Sequence, residues 1–190
     1  MSAPKRTAPP AAEPLTLAEA KAHLRVTVND DDTLITALIS AAREACEDRL
    51  QRTLISTPWL LALDAFPDAI KLPMPPALQV QSLQYFDALG DLVTLAGEDY
   101  ELDPYSEPAC LVPAPGVAWP ATQAGRINAV RVAYTAGYGA TAADVPGPIK
   151  QWLRLAIGDM YERRTRSAER PAVPQGFADG LLDTYRVWSL

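Results

Sequence analysis

Residues 33–52, TLITALISAAREACEDRLQR, predict a helix because their apolar side chains recur at the spacing of an α-helix. The apolar stripe consists of Leu34, Ile35, Leu38, Ile39, Ala42, Ala45, Cys46 and Leu50. The opposite face carries Arg43, Glu44, Glu47 and Asp48. We therefore expect a long amphipathic helix over residues 33–52, with one face in a core and the other in water or against a neighbouring molecule.

The residues before this helix contain two further helix-start signals. The run NDDD, residues 29–32, offers carboxylates to the unpaired amides and the positive dipole end of the long helix. Upstream, Thr16 and Glu19 have the spacing of a capping box, which predicts a short helix over residues 17–24. Residues 1–14 are rich in Pro and Ala without apolar periodicity, so we expect a flexible arm there.

The pattern changes after the long helix to short apolar or alternating runs between turn residues, which is typical of β-structure. Residues 80–86 and 92–95 are predicted to pair as a hairpin through the loop 87–91. A last strand, residues 129–134, is predicted to place Val130, Val132 and Tyr134 on one side.

A third helix is predicted from the start signal Pro146-Gly147-Pro148 to about Arg164. Its apolar residues, at steps of three and four, are Ile149, Trp152, Leu153, Ala156, Ile157, Met160 and Tyr161. Gly158 inside this pattern costs about 1 kcal/mol of helix propensity, which indicates a close approach of another helix. Residues 167–176 resemble a linker, and residues 177–190 an apolar tail.

These elements predict an α+β fold: a bundle of about three main helices with a β-rich insertion between the second and third helices, and extended amino- and carboxy-terminal arms. The corresponding segments are a flexible arm at 1–14, a helical core at 15–53 and 146–166, a β-rich insertion at 54–145, and a linker with a docking tail at 167–190.

The chain is acidic, with 17 Lys and Arg against 23 Asp and Glu and a net charge of -6. This net negative charge argues against a domain that binds nucleic acid sequence-specifically. It is compatible with a surface past which DNA slides. The sequence also lacks a secretion signal and a long apolar run, so we expect a protein of the cytoplasm without a membrane partner. Cys46 and Cys110 are expected to remain thiols there.

The side chains that could carry chemistry do not form a recognisable catalytic or metal-binding motif. Cys46 lies inside the apolar stripe, whereas an activated thiolate is usually found at a helix amino terminus or beside a cation, so a Cys46–His23 enzyme is disfavoured. The acidic residues 30–32 are not followed by the glycine and the glutamate that a calcium-binding loop requires at its later positions. We expect no catalytic residue, no cofactor and no metal, and the acidic stretch 98–103 is interpreted as a solvated edge.

Two segments are candidate partner-binding sites. The basic cluster Arg163, Arg164, Arg166 and Arg170 either suits the negative end of the third helix or contacts an acidic partner or passing DNA. The tail residues Tyr185, Val187, Trp188 and Leu190 either fold back onto the core or insert into a partner protein.

The order of these elements resembles the head-tail connector (adaptor, head-completion) family of tailed bacteriophages. The resemblance lies in the segment PLTLAEAKAHLR (14–25), the acidic helix start, the residues RTLI (52–55) after the long helix, and the PMPP break (73–76). It continues in VRVAYTAGYG (130–139), VPGP (145–148) and YRVW (185–188), and so covers roughly residues 14–190.

The resemblance implies a structural virion protein of the neck between capsid and tail, present in the host cytoplasm before assembly. It implies a homo-oligomeric ring, with twelve copies expected, that binds the portal protein on one side and a stopper or tail-completion protein on the other. Viral DNA would pass through the lumen without sequence-specific binding. Portal docking is assigned to Tyr185, Val187, Trp188 and Leu190, with the arginines of residues 163–170 as a second candidate.

Three alternatives remain open on the sequence. A tail-completion or stopper protein of the neck would bind the tail tube instead of the portal. A hydrolase would use carboxylates of the β-rich segment. A regulatory nucleic-acid binder is disfavoured by the acidic charge.

Overall fold

The computed structural model describes residues 4–163 and 176–187. These residues form two compact units. The β unit comprises residues 4–11 and 56–138, and the helical unit comprises residues 12–55, 139–163 and 176–187. Each unit is described by itself.

The helical unit contains α1 (Leu17–Leu24), α2 (Asp32–Leu50), α3 (Gly147–Glu162) and α4 (Gly176–Gly180), with 3-10 turns at Ala142–Asp144 and Asp183–Tyr185. The three helices that the periodicity predicted are confirmed, and α1 has the predicted bounds. The buried apolar side chains of the helical unit include Ile35, Ile39, Ala42, Cys46, Leu50, Ile149, Trp152, Leu153 and Ile157. The predicted stripe of α3 lies toward the core, whereas that of α2 is confirmed only in part because Leu34 and Ala45 are exposed.

The capping box of α1 forms as predicted. Thr16 Oγ1 accepts from the Glu19 backbone N–H at 3.1 Å, and the Glu19 carboxylate accepts from the Thr16 backbone N–H at 2.9 Å. These bonds satisfy amides that the first helical turn leaves without partners. Because the backbone bond from Thr16 favours the ionised carboxylate, it lowers the pKa of Glu19.

The predicted role of the acidic run before α2 is confirmed only in part, because Asp32 lies in the first turn at the positive end of the helix dipole but the predicted capping bond is not made by Asp31. Asp31 is the residue before the first helical turn, but its side chain makes no capping hydrogen bond. Its carboxylate instead accepts from the Tyr161 hydroxyl, and Asp32 accepts from Lys21 Nζ at 2.6 Å. Since these partners come from α3 and α1, the carboxylates join helices and do not cap one.

The β unit contains β1 (Lys5–Arg6), β2 (Thr57–Leu63), β3 (Ile70–Lys71), β4 (Ala77–Phe86), β5 (Leu92–Thr94), β6 (Tyr100–Asp103), β7 (Cys110–Pro113) and β8 (Val130–Ala136). One antiparallel sheet has the order β1-β2-β8-β4-β5, and a second has the order β3-β7-β6. The predicted hairpin is β4–β5, in which Phe86 lies opposite Leu92.

Strand β8 lies between β2 and β4 and organises the core of the β unit. Its residues alternate between buried and half-buried positions, so that Val132 packs on one face between its register partners Leu61 and Leu83. This alternation is what a strand with one buried face requires. The buried cluster consists of Trp59, Leu61, Ile70, Leu72, Leu83, Leu111, Val130, Val132, Tyr134 and Ala136.

The predicted fold class is wrong. In place of a three-helix bundle with one insertion and two extended arms, the described residues hold four helices and two antiparallel sheets of eight strands in all. The β segment is not an elaboration of a bundle because it builds a core of its own. The predicted arms are also partly structured, since Lys5 pairs with Leu60 in the sheet and α4 lies near the carboxy terminus.

None of the helices within residues 4–163 and 176–187 is both long and apolar enough to span a bilayer.

Candidate partner-binding surfaces

The carboxy-terminal segment is attached to the end of α2 through the backbone of the first predicted docking residues. A helix leaves its last carbonyls without partners inside the helix. The Leu50 carbonyl is one of these, and it accepts from the Val187 backbone N–H at 3.1 Å. Arg52 Nε donates to the Tyr185 carbonyl. The backbone of residues 185–187 therefore completes the end of α2.

The residues just before this attachment are core residues. Leu182 is buried with 2% of its surface exposed, and Ala178 is also buried. On the surface, Arg49 and Asp179 form an ion pair at 2.8 Å that links α2 to α4. The segment 178–187 is thus an integral part of the helical unit.

Two of the predicted portal-docking residues form this attachment, and the other two follow it in the sequence. Tyr185 and Val187 are half-buried. Trp188 and Leu190 lie outside the described residues. The structure therefore locates the base of the predicted docking tail and not its tip.

Of the predicted basic cluster, Arg163 is the member that the structure describes. It ends α3, where its backbone N–H donates to the Asp159 carbonyl at 3.0 Å and its Nε lies 2.9 Å from Asp159 Oδ1. Arg164, Arg166 and Arg170 lie outside the described residues. The contacts of Arg163 are those of a helix end.

The thiol and imidazole are not arranged for catalysis in the described part of the chain. Burial raises the pKa of the Cys46 thiol to about 12, so that it stays protonated and poorly nucleophilic at neutral pH. His23 of α1 lies against Gly158 of α3, where an added Cβ would be 3.6 Å from its Nε2. The helix approach indicated by Gly158 is therefore present, at ordinary contact distance.

The acidic stretch of the β unit also has a structural explanation. Asp103, at the end of β6, accepts from the Tyr105 backbone N–H at 2.9 Å and from Ser106 Oγ at 2.6 Å. These bonds lower the pKa of the Asp103 carboxyl, with Ser106 as the largest cause. Within residues 4–163 and 176–187, no three His, Cys, Asp or Glu side chains form a group that could hold a metal ion.

A buried ionic network on α2 was missed by the sequence analysis, which placed Arg43 and Glu47 on the wet face. Arg43 Nη1 lies 3.0 Å from Glu47 Oε2, and Arg43 Nε lies 2.8 Å from Glu13 Oε2. Glu13 Oε1 also accepts from Ser40 Oγ at 2.8 Å, and Glu47 Oε1 accepts from the Leu54 backbone N–H at 2.9 Å. The network ties the segments on either side of α1 and α2 to one helix face.

The carboxylates of this network favour the charged form of Arg43. Burial by itself disfavours the charged guanidinium, but the hydrogen bonds and charges of Glu13 and Glu47 outweigh it and raise the pKa of Arg43. No sequence signal distinguishes Arg43 from the exposed arginines of other helices, because its partner Glu13 lies 30 positions away.

Comparison with known proteins gives a match to one family model over part of the chain, and several matches to solved structures over nearly the whole chain. Residues 14–84 match the model of the phage gp6-like head-tail connector protein family. No curated protein gives a significant match to the sequence. The resemblance to head-tail connectors stated above is thus confirmed.

Three solved structures that resemble this chain are of particles of a gene transfer agent. A chain in the neck of the empty particle, computed with C6 symmetry, is 27% identical with a TM-score of 0.82 over 99% of this chain and 97% of that one. A chain in the neck of the native particle, computed with C12 symmetry, has a TM-score of 0.79 with the same identity and coverage. A chain in the native virion, also 27% identical, has a TM-score of 0.81 over 98% of this chain and 96% of that one.

Proposed function

We propose that this chain, which resembles the phage gp6-like head-tail connector proteins, is a structural subunit of the neck of a phage-like particle. Copies of the chain form a ring that joins the portal vertex of the capsid to the tail, and DNA passes through the ring. The role is mechanical and involves no catalytic step. The subunit is made in the host cytoplasm and functions in the virion.

The observation that carries this proposal is the full-length structural match to neck chains of a gene transfer agent, at a TM-score of 0.82 with nearly complete coverage of both chains. A match of this extent includes residues of both units. Necks computed with C6 and C12 symmetry support a cyclic assembly, and we expect twelve copies.

The charge of the chain is compatible with a DNA conduit. Retention of DNA requires a surplus of Lys and Arg at the contact surface, because phosphate neutralisation supplies most of the sequence-independent affinity. A subunit with a net charge of -6 does not provide such a surplus overall. DNA would therefore slide past the ring without being held.

Portal docking is assigned to the tail residues Tyr185, Val187, Trp188 and Leu190. The backbone of residues 185–187 is fastened to α2, so the apolar residues that follow start from a fixed point on the helical unit. A fixed base lowers the ordering cost of inserting an aromatic anchor into a partner. The cluster Arg163, Arg164, Arg166 and Arg170 is the second candidate, for an acidic partner surface.

The experiment that tests the proposal is mass photometry of the purified chain, alone and mixed with the portal ring of its own particle. We expect a small species alone and a portal-bound ring in the mixture. Binding to the tail tube but not to the portal would assign the chain to the stopper proteins instead. Binding to neither would overturn the connector proposal.

The docking residues are tested by a truncation that removes residues 188–190. The cut must lie after Val187, because Leu182 is buried and a longer deletion would remove core. We expect an unchanged circular dichroism spectrum and loss of portal binding. The matched control is Tyr105→Ser, which removes an aromatic side chain that is 95% exposed in the β unit and should bind normally. Normal binding by the truncated chain would refute the docking role assigned to Trp188 and Leu190.

A further inference from the structure

Two apolar side chains on neighbouring loops of the β unit are exposed to solvent. Leu89, in the β4–β5 loop, is 86% exposed, and Ile127, in the loop before β8, is 75% exposed. The two loops are joined because the Gln123 backbone N–H donates to the Phe86 carbonyl at 3.0 Å. We call these loops, residues 87–91 and 123–128, the apolar tip.

The apolar tip is held rigidly. The Asp87 carboxylate accepts from the backbone N–H groups of Leu89 at 2.9 Å and Asp91 at 3.0 Å, which fixes the β4–β5 loop. The Arg126 guanidinium lies 3.3 Å from the centre of the Phe86 ring and donates to Gln123 Oε1 at 2.8 Å. Loops braced in this way lose little entropy on binding, so their exposed apolar side chains suit a contact surface.

The helical unit carries an apolar groove with a volume of about 370 Å³. Its walls come from the start of α1, the first half of α2 and the segment before α3. They consist of Ala12, Glu13, Leu15, Thr16, Leu17, Thr36, Ile39, Ala140, Thr141 and Ala142. Small and apolar residues predominate, so the groove fits a branched aliphatic side chain better than a charged one.

We infer that the apolar tip of one copy packs into the apolar groove of the adjacent copy in the ring. A closed ring larger than a dimer needs two different, complementary surfaces on each subunit, whereas a twofold dimer needs only one. The tip and the groove are two such surfaces of matched chemistry on one chain. The inference rests on the ring of the proposed function and specifies its subunit contact.

The test uses the full chain in portal-bound rings, with Leu89→Cys and Thr36→Cys introduced together and Cys110→Ser removing the half-buried thiol. Thr36 is an exposed residue of the groove wall, so its replacement leaves the helix core intact. A short bis-maleimide should link copies into a ladder of dimers, trimers and larger species on a denaturing gel. Mass spectrometry should find the Leu89 and Thr36 positions joined.

Control variants separate this contact from random collision. Thr36→Cys paired with Tyr105→Cys places the second thiol on another fully exposed loop of the β unit, and it should give no ladder. Leu89→Cys alone should stay monomeric on the gel. A dimer of that single variant would mean that tips meet tips, and a crosslink confined to one chain would mean that the contact is internal. Either result overturns the inference.

A second measurement does not depend on crosslinking. Leu89→Asp with Ile127→Asp should weaken ring formation at least tenfold, because two charges would enter an apolar groove. Thr36→Trp, which fills the groove, should have the same effect, and circular dichroism should show that both variants fold. Rings that assemble normally in both variants would overturn the tip contact and leave the connector proposal intact. The absence of any ring in the unmodified chain would instead overturn both.

Discussion

In the helical unit, Arg43 and Glu47 keep only 4% and 2% of their surface exposed, whereas in the β unit Leu89 and Ile127 are mostly in solvent. The same contrast holds more widely among the described residues. Four of the five buried polar or charged residues, Arg43, Glu47, Arg52 and Thr53, belong to the helical unit. Six of the eight exposed large apolar residues, Leu78, Leu89, Leu92, Tyr105, Val117 and Ile127, belong to the β unit.

The contrast indicates a division of roles between the two units. A buried ion pair contributes little net stability by comparison with apolar packing, but the loss of one partner is costly, so such a pair fixes one arrangement of segments. Exposed apolar side chains lower the solubility of a protein unless a partner covers them. The helical unit therefore uses buried polar contacts to define its own structure, whereas the β unit exposes apolar side chains that the proposed ring contact would cover in part.

The largest effect is expected for Arg43→Ala, which leaves the carboxylates of Glu13 and Glu47 without their cation. The free energy of unfolding should fall by about 3–5 kcal/mol, measured by urea denaturation. Arg43→Met combined with Glu47→Gln should recover part of the loss, because the amide oxygen still accepts from the Leu54 backbone N–H. A loss below about 1 kcal/mol for Arg43→Ala would show that the network does not organise the unit.

In the β unit, the change that corresponds to Arg43→Ala is the shortening of a buried apolar side chain. Leu83→Ala removes a fully buried side chain opposite Val132, so the free energy of unfolding should fall by about 2–5 kcal/mol. Leu89→Ala, at the apolar tip, should change it by less than about 0.5 kcal/mol. If the two variants lose stability equally, Leu89 is a core residue and the contrast between the units fails.

A smaller effect is expected at Gly139 of the helical unit. A Cβ at this position would lie 2.3 Å from Asp144 Cγ, and the Asp144 carboxylate is fixed by bonds from the Thr141 backbone N–H and hydroxyl at 2.9 Å. Gly139→Ala should therefore cost about 1–3 kcal/mol of unfolding free energy, measured by thermal denaturation.

The matched variant is Gly158→Ala in α3, where the added Cβ meets His23 at an ordinary contact distance of 3.6 Å. It should raise the unfolding free energy by up to about 1 kcal/mol, since alanine is the better helix former. Equal destabilisation by both alanine variants would contradict the rigid contact assigned to Asp144.

The smallest expected effect is a loss of stability in acid, which arises from the two capping carboxylates of the helical unit. Hydrogen bonds from the Thr16 and Thr141 backbones lower the pKa values of Glu19 and Asp144. A carboxyl with a lowered pKa in the folded state contributes stability above its unfolded pKa, and that contribution is lost as the pH falls through the folded pKa. Helical stability should therefore decline below about pH 4, near the ordinary carboxyl range.

Circular dichroism melts between neutral and acid pH measure this effect. Glu19→Gln with Asp144→Asn should be less stable at neutral pH and should show a flatter pH profile than the unmodified chain. An equally steep profile would mean that other carboxylates dominate the acid response.

Most of the local structure of this protein follows from short-range patterns in the sequence. Side-chain periodicity and cap residues act within a few positions, so α1, α2, α3, the Thr16–Glu19 box and the β4–β5 hairpin were all predictable. The order of these elements also carried the resemblance to head-tail connectors, which the comparisons confirmed.

The burial of polar residues and the pairing of short segments in a sheet depend on tertiary contacts. Arg43 is buried because Glu13 reaches it from 30 positions away, and Asp31 and Asp32 bind side chains of other helices instead of capping their own. Strand β1 is two residues long and pairs with β2 through backbone groups that every residue carries, so no side-chain pattern marks it. These outcomes depend on contacts between distant segments, which local periodicity does not encode.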